Sequence, residues 1–525
     1  MLRDLLGDFG TLHQRRRTLK AFEAFWAKRP GESPTPATGL DASFQAQLDS
    51  WLRWHKGMLL AELVPTSLQY LLHDPLAPER FDFDHVLVDE YQDLNHGDQI
   101  LIDLLAGDDH LLVVGDDDQS IYSVRWANPE GIRIFQHDRK AELLDCRRCP
   151  QAIVGMANSL IAKNPDRSKP VMNALPSNPA GEIHHVRFET MEDEAQGIAS
   201  FVAASIADGR ASPGECLILV NDRRVGHGIR EAIRNLGVAA HSFFTQEPLE
   251  TPDAQEAYLF LRLLAVPEDR VALRAWLGHG STDGRRKSYK RAWDRADELR
   301  ISVAELLVRM EAGSEQVPHT AALLDRWRIL QQTLKELQPL AADTQSLIDV
   351  VLPGGHENLA LLRDCALSCI DPWEEEGHED LIAFVERIRG EIAQPEVPVD
   401  VDYVRIMSCH KSKGLTAHTV IVAGAIDGLI PRLPREDADL GLEEMAEQLH
   451  EQRRLFYVAL TRTTNTLVLS SFQRVELGQA HRQGLPLGRK HWKSKTGTTL
   501  PSRFLQELGR DLPGAETGDD WFNSE

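Results

Sequence analysis

The chain has 525 residues, 42% of them hydrophobic and 26% charged, a length that exceeds one core and points to about three or four domains. The balance of 58 Lys and Arg against 80 Asp and Glu gives a net charge of −22, which argues against a wholly basic nucleic-acid coat protein but leaves room for a local basic groove. No run of about 18 apolar residues exists, the N-terminal MLRDLLGDFGTLHQRRR lacks a signal-peptide core, and six cysteines form no dense framework, so a cytoplasmic protein without a membrane span is expected.

Residues 1–80 read as amphipathic helix, with a loop at RPGESPTPATG and one apolar stripe through Trp51, Trp54, Leu59, Leu60 and Leu63. The texture then changes. FDHVLVDE and HLLVVGDDDQS are short apolar runs that each end in acids, and DQILIDLLAG between them has helical spacing. Strand, helix, strand with fully apolar strands marks a buried parallel α/β sheet, whose carboxyl strand ends are where ligands bind. A second α/β region follows, with strands expected at 182–188 and 215–220 and helices at about 191–208 and 223–236. From about 260 to 395 the pattern is helical, broken at LPGGHE and AQPEVPVD. Strand-like runs return at 403–410 and 418–424, a long helix covers about 443–462, and TLVLSS closes the series. A helical insertion inside the second α/β domain, with the chain returning to finish the sheet, accounts for this order.

Phosphoryl transfer from ATP needs a phosphate cradle, a magnesium ion, a group that positions water, and cations for the developing charge. Asp89, at a strand end, is placed to hold Mg²⁺, because hard cations prefer carboxylate oxygens. Glu90 beside it is placed to orient or deprotonate the attacking water. An acid pair after a strand equally suits a helix start. The second run, VVGDDDQSIY, brings more acids and Gln119 to the same sheet edge, within reach of a γ-phosphate or its water.

Together these runs resemble the UvrD/Rep family of superfamily 1A DNA helicases. DEYQD (89–93) is similar to that family's motif II, GDDDQSIYSVRWANP (115–129) to motif III, and LLDCRRCPQAI (143–153) to motif IV. VRIMSCHKSKGLTAHTVIVAG (404–424) is similar to motif V and QRRLFYVALTRTTNTLVL (452–469) to motif VI. The resemblance implies an α/β fold of two RecA-like P-loop NTPase lobes, the first incomplete, with helical insertions. The implied domains are 1–80 as the remainder of helical subdomain 1B, 81–140 as partial lobe 1A, and 141–261 with 396–475 as lobe 2A. Residues 262–395 would be helical subdomain 2B and 476–525 a C-terminal tail.

The resemblance also implies roles. Asp89 would hold the metal, and Glu90 would be the catalytic base. Gln119 would couple nucleotide state to DNA. Arg148 and Arg462 would be arginine fingers, a task suited to a group that stays charged and binds phosphate oxygens in a fork. Gly414 and Thr416 would also contact nucleotide, while Tyr122, Arg125, Trp126, His410 and Lys413 would face DNA. ATP and Mg²⁺ are the implied cofactors, and single-stranded and duplex DNA the implied partners. The implied activity is ATP-dependent unwinding, 3′ to 5′, in DNA repair or replication restart.

Several positions depart from the family pattern. The phosphate loop GxxxxGK[ST] is absent, and no Gly-Lys dipeptide occurs anywhere. Only 88 residues precede Asp89, so the first lobe reads as truncated, and an exposed edge and apolar surface are expected there. The alternative is therefore an ATPase-deficient remnant that binds DNA, or a chain completed by a protein partner or an upstream segment carrying the loop. Motif IV reads Cys146-Arg147-Arg148 in place of NYR, Val124 stands where an aromatic is usual with Trp126 as its substitute, and Thr416 stands where Glu is frequent. Cys146 and Cys149, with Cys365 and Cys369, also admit a zinc reading, the weaker one because the first pair lies within motif IV. GHGSTDGRRKSYKRAW (278–293) reads either as a grip on duplex backbone or as a solvated basic helix start, and GRKHWKSK (488–495) is a second basic patch.

Overall fold

The computed structural model describes all residues except 6–8, 29–38, 108–110, 124–125, 166, 169–170, 244–247, 371–379, 394–400, 433–440 and 525. The loop expected at RPGESPTPATG and most of AQPEVPVD lie outside the described residues. The chain divides into two compact units, one of residues 1–69 and 246–396, the other of residues 70–245 and 397–525. No helix among the described residues is long and apolar enough to cross a membrane.

The second unit carries the strands. β1 (Val86–Val88) and β2 (Leu111–Val113) pair in parallel, with Leu87 opposite Leu112. Leu87 is 72% and Leu112 55% exposed, so this pair presents one apolar face to solvent. That corrects the reading of HVLVDE as a strand buried on both faces and matches the apolar surface expected there. β3 (Asp145–Cys146) and β4 (Asn173–Ala174) form a short parallel pair. The remaining strands are β5 (Glu182–Phe188), β6 (Cys216–Leu219), β7 (Ala240–Ser242), β8 (Val404–Met407), β9 (Ala417–Val422), β10 (Thr463–Phe472), β11 (Arg474–Glu476), β12 (Leu487–His491), β13 (Thr496–Thr499) and β14 (Glu516–Thr517). Seven of them build one parallel sheet in the order β14-β5-β10-β9-β6-β8-β7. β11, β13 and β12 form a small antiparallel sheet, which places the basic GRKHWKSK segment on a hairpin with Trp492 75% exposed.

The large sheet is mixed α/β architecture with both faces covered, and β6 and β8 are buried at every residue. On one face, helices Gln151–Ile161 and Leu442–Leu460 close a core that includes Ile153, Leu160, Leu455 and Phe456. On the other, helices Met191–Ala207 and Arg223–Asn235 close a core that includes Ile198, Val202, Ile229 and Ile233. Both latter helices start where the sequence supplies a cap: Thr190 accepts from Asp193 N–H and Asp222 from Arg224 N–H. β8, β9, β10 and β14, after residue 400, enter the same sheet as β5, β6 and β7, before 245, as the insertion account requires.

The first unit is helical among its described residues. Its interior holds an ion pair: Arg274 Nε donates to Asp4 Oδ2 at 2.9 Å, and Trp51 Nε1 donates to the same oxygen at 3.1 Å. His55 stacks on Trp51 at 3.8 Å between ring centres and contacts the Tyr289 hydroxyl at 2.8 Å. The single stripe through 51–63 does not form. The helix Gly39–His55 ends within it, after Trp51 and Trp54, and Leu60 and Leu63 are exposed while Trp51 is buried. In GHGSTDGRRKSYKRAW, Tyr289 is core, Arg285 donates to the carbonyls of Leu277 and His279, and Arg286 donates to that of Leu5. Much of that segment's charge and aromatic surface is therefore spent inside the unit, which weakens its reading as a duplex grip.

Candidate nucleotide site

The acids after β1 and the Gln119 loop after β2 are locked together by Gln92. Its buried amide donates to Glu90 Oε2 at 2.6 Å and accepts from Asp116 N–H at 2.9 Å. Gly115 is required for that approach, since a Cβ there would lie 2.4 Å from Gln92 Oε1. Glu90 sits at φ 53, a left-handed conformation that a non-glycine residue adopts at a cost of order 1 kcal/mol or more. This turns its carboxylate toward Lys413. Asp89 is exposed, and one of its oxygens accepts from Glu90 N–H at 2.8 Å.

Lys413 comes from the loop between β8 and β9. Its Nζ pairs with Asp93, lies 3.1 Å from Glu90 Oε2, donates to the Gln119 carbonyl at 3.1 Å and stands 5.5 Å from the Tyr122 ring centre. One cation therefore ties motif II to motif III and touches the aromatic expected to face DNA. Gln119 donates to Asp116 Oδ2 at 2.9 Å and accepts from Arg462 Nη2 at 3.5 Å. Arg462, which follows the helix Leu442–Leu460, is buried and anchored to the carbonyls of Val458 and Leu415. Burial first, then the nearby Arg148, lowers its pKa to about 10, which leaves it charged at neutral pH. Arg148 is exposed and reaches the Thr461 carbonyl at 3.4 Å. A cavity of about 580 Å³ is lined by Gln119, Cys146, Arg148, Tyr457 and Arg462 among others, so the glutamine and both arginines expected at nucleotide share one space.

The other expected residues are placed less tightly. Gly414 and Thr416 are exposed, Gly414 at φ 85, and neither lines that cavity. His410 is half-buried, and its pKa is lowered by burial against the opposing pull of Glu451. Tyr122 is half-buried against the sheet core, and Trp126 is half-buried at φ 57. Arg125 lies outside the described residues. The metal-ligand geometry among the described residues falls on Asp116, Asp117 and Asp118 and does not include Asp89 or the cysteines. Those three acids are already engaged: Asp116 with Gln119, Asp117 with Ser168, and Asp118 with the Arg167 fork. They hold the loop and are not a vacant metal cage.

Sequence reasoning missed two features. Glu451 accepts from Ser123 N–H and hydroxyl, fixing the motif III loop to the motif VI helix. A second cavity of about 310 Å³ gathers Arg223, Arg224, Arg432 and Arg482 around Gln483. Arg223 and Arg224 follow β6 directly, and the same strand-end logic applied to the acids would have found them.

The UvrD-like helicase C-terminal domain family matches residues 147–474, and the UvrD/REP helicase N-terminal domain family matches residues 33–140. The chain belongs to the UvrD-like helicase family. It is 27% identical to DNA helicase II of Haemophilus influenzae over 488 residues, covering 86% of this chain and 62% of that protein. It is 24% identical to the ATP-dependent DNA helicase PcrA of Leuconostoc citreum, over 84% of this chain and 59% of that one. It is 26% identical to the ATP-dependent DNA helicase UvrD1 of Mycobacterium tuberculosis, over 82% and 58%. The chain thus spans about six tenths of the length of these relatives. In this UvrD-like helicase chain the N-terminal match holds Asp89, Glu90 and Gln119, and the C-terminal match holds Arg148, Lys413 and Arg462.

Proposed function

We propose that this chain couples ATP hydrolysis to 3′ to 5′ movement along single-stranded DNA and to duplex separation, as a UvrD/Rep-type helicase of DNA repair or replication restart in the cytoplasm. The observation that carries the reading is the meeting of Gln119, Arg148 and Arg462 on one cavity, with Lys413 linking the acids beside it to the DNA-facing aromatic. Glu90 orients the attacking water and takes its proton. Arg148 and Arg462 stabilise charge on the phosphates. Asp89 is exposed and suits the water-bridged carboxylate contact that magnesium prefers. Magnesium, when bound, neutralises phosphate charge. Lys413 transmits the change, because it touches Glu90 and Tyr122 at once. Bases stacking on Tyr122 and Trp126 contribute about 1–3 kcal/mol each without regard to sequence, with His410 and Arg125 beside the strand. The arginine-lined cavity and the basic hairpin serve the DNA backbone. Gly414 and Thr416 contact nucleotide from the motif V loop. Residues 1–80 belong to subdomain 1B and residues 262–395 to subdomain 2B.

A second reading has its own observation. No Gly-Lys dipeptide is present in the 525 residues, and β1 and β2 leave Leu87 and Leu112 exposed on one apolar face. On that reading the chain is ATPase-deficient alone, and a partner supplies the phosphate loop. ATP hydrolysis by the purified chain, with and without single-stranded DNA, separates the two. DNA-stimulated turnover that disappears in Glu90→Gln supports the motor. Folded protein with no turnover supports the partner-dependent form.

A further inference from the structure

The loop that carries Arg148 is bracketed by two cysteines in unlike surroundings. Asn178 Nδ2 donates to the carbonyls of both Cys146, at 2.7 Å, and Cys149, at 2.8 Å, drawing the two ends of the loop together. Cys149 N–H donates to Cys146 Sγ at 3.5 Å, which sets the two side chains next to each other. Cys146 is half-buried and lines the 580 Å³ cavity, so a small molecule entering the cavity reaches its sulfur. Cys149 is buried, and its thiol donates to the Thr461 carbonyl at 3.4 Å, the same oxygen that Arg148 reaches. Hydrogen bonds from the Cys149 side chain and from the Cys149 and Arg148 N–H groups, with the Arg148 charge, bring the Cys146 thiol down to about 5. The Cys149 thiol is pushed up by its bond to Cys146 and by burial. The other cysteines differ. Burial pushes Cys216, Cys365 and Cys409 up to about 12 and raises Cys369.

We propose that Cys146 and Cys149 form a reversible redox-modification site, oxidised by a peroxide to a disulfide that closes the Arg148 loop. The Cys146 thiolate attacks one peroxide oxygen. The O–O bond breaks, the departing hydroxide or alkoxide takes a proton from solvent and leaves as water or an alcohol, and Cys146 becomes a sulfenic acid. Cys149 sulfur then attacks Cys146 sulfur. The S–O bond breaks, hydroxide leaves with the Cys149 proton as water, and the S–S bond forms. Two thiols and one peroxide thus give one disulfide. The bond withdraws Cys149 from Thr461 and constrains Arg147 and Arg148 between them, both of which line the cavity. That last consequence rests on the proposed nucleotide site; the thiol chemistry does not.

The test uses the full chain treated with stoichiometric hydrogen peroxide, quenched with N-ethylmaleimide and mapped by mass spectrometry. Two of the six thiols are lost, in a linked 146–149 peptide, and dithiothreitol restores them. Cys149→Ser accumulates a dimedone-reactive sulfenic acid on Cys146, and Cys146→Ser yields neither product. If a variant does not fold, the unmutated chain decides by its alkylation profile. Iodoacetamide labels Cys146 at a rate flat from about pH 6.5 to 8.5, while an ordinary thiol gains about tenfold per pH unit below its pKa. Linkage elsewhere, oxidation of Cys146 no faster than of Cys409, or a Cys146 rate that climbs with pH overturns the proposal. Because the readout is mass, a chain without ATP turnover leaves this result standing, and a missing disulfide leaves the motor reading standing.

Discussion

Removing Lys413 tests the joint between the acids and the Gln119 loop. The Lys413 side chain is 7% exposed, Asp93 17% and Glu90 49%. Lys413→Met keeps the stem and deletes the charge. The bond to Asp93 is charge-assisted and largely desolvated, so its loss costs about 2 kcal/mol. Glu90 is half in water and adds well under about 1 kcal/mol. The aromatic contact at 5.5 Å adds about 0.5 kcal/mol. The sum is about 3 kcal/mol. With an m-value of about 3 kcal/mol/M in urea, the unfolding midpoint of the unit that contains Lys413 falls by about 1 M. The second substitution, Asp93→Asn, costs little more once Lys413 is gone, giving a coupling of about 2 kcal/mol in the double-mutant cycle. A midpoint shift under about 0.3 M, or additive single substitutions, would refute the argument: the cation would then be a solvated contact and not the joint.

On the motor reading proposed above, Arg462→Ala lowers DNA-stimulated ATP turnover about 10³-fold, and Arg462→Lys does not restore it because the fork is lost; steady-state hydrolysis within tenfold of the unmutated chain counts against the role. Burial lowers the pKa of His55 to about 4 from 6.5, so the unfolded chain binds the extra proton first. Stability is therefore full above about pH 6.5 and falls as pH drops toward 4, by roughly 3 kcal/mol from this group, a slope that urea titrations of His55→Gln should lack. Burial pushes Glu194 up to about 7, opposed by hydrogen bonds from Gly424 N–H and Ser470. Here the sign is reversed: its contribution is full below about pH 4.5 and lost as pH rises through 7. Glu194→Gln removes this loss of about 3 kcal/mol between pH 4 and pH 8, so its thermal midpoint rises relative to the unmutated chain on going from pH 4 to pH 8.

The large sheet was readable because its strands are apolar and spaced by amphipathic helices, and the nucleotide site because the acids at 89–90 and the amide at 119 follow the separate strands β1 and β2. What the sequence did not show is how each residue's environment is divided. Tyr289 and Trp293 look like surface aromatics among cations, yet Tyr289 is core and Trp293 packs against it, because Arg285 and Arg286 turn inward to carbonyls. Lys413 reads as one more basic residue in SCHKSKGL, and only the return of the chain after residue 400 brings it to Asp93, 320 positions away. The acids of GDDDQ look like metal ligands and are tied to Arg167 and Ser168 from a separate segment. Periodicity encodes faces and elements; it does not encode which distant side chain arrives to satisfy a charge.

The strand order has a consequence for synthesis. In β5-β10-β9-β6-β8-β7 each strand made before residue 245 has only later strands as hydrogen-bonded neighbours within that series. β6 and β7 therefore emerge from the ribosome with no partner until β8 follows at Val404, and β5 with none until β10 follows at Thr463. At about 5–20 residues per second the gap from Ser242 lasts roughly 8–30 s. Throughout that interval the apolar strand CLIL depends on its own helices for cover. The helical unit of residues 1–69 and 246–396 has all its residues made before Val404 and can finish first. A nascent chain released before Val404 would carry three orphan strands, which makes this the stretch where a chaperone has most to do.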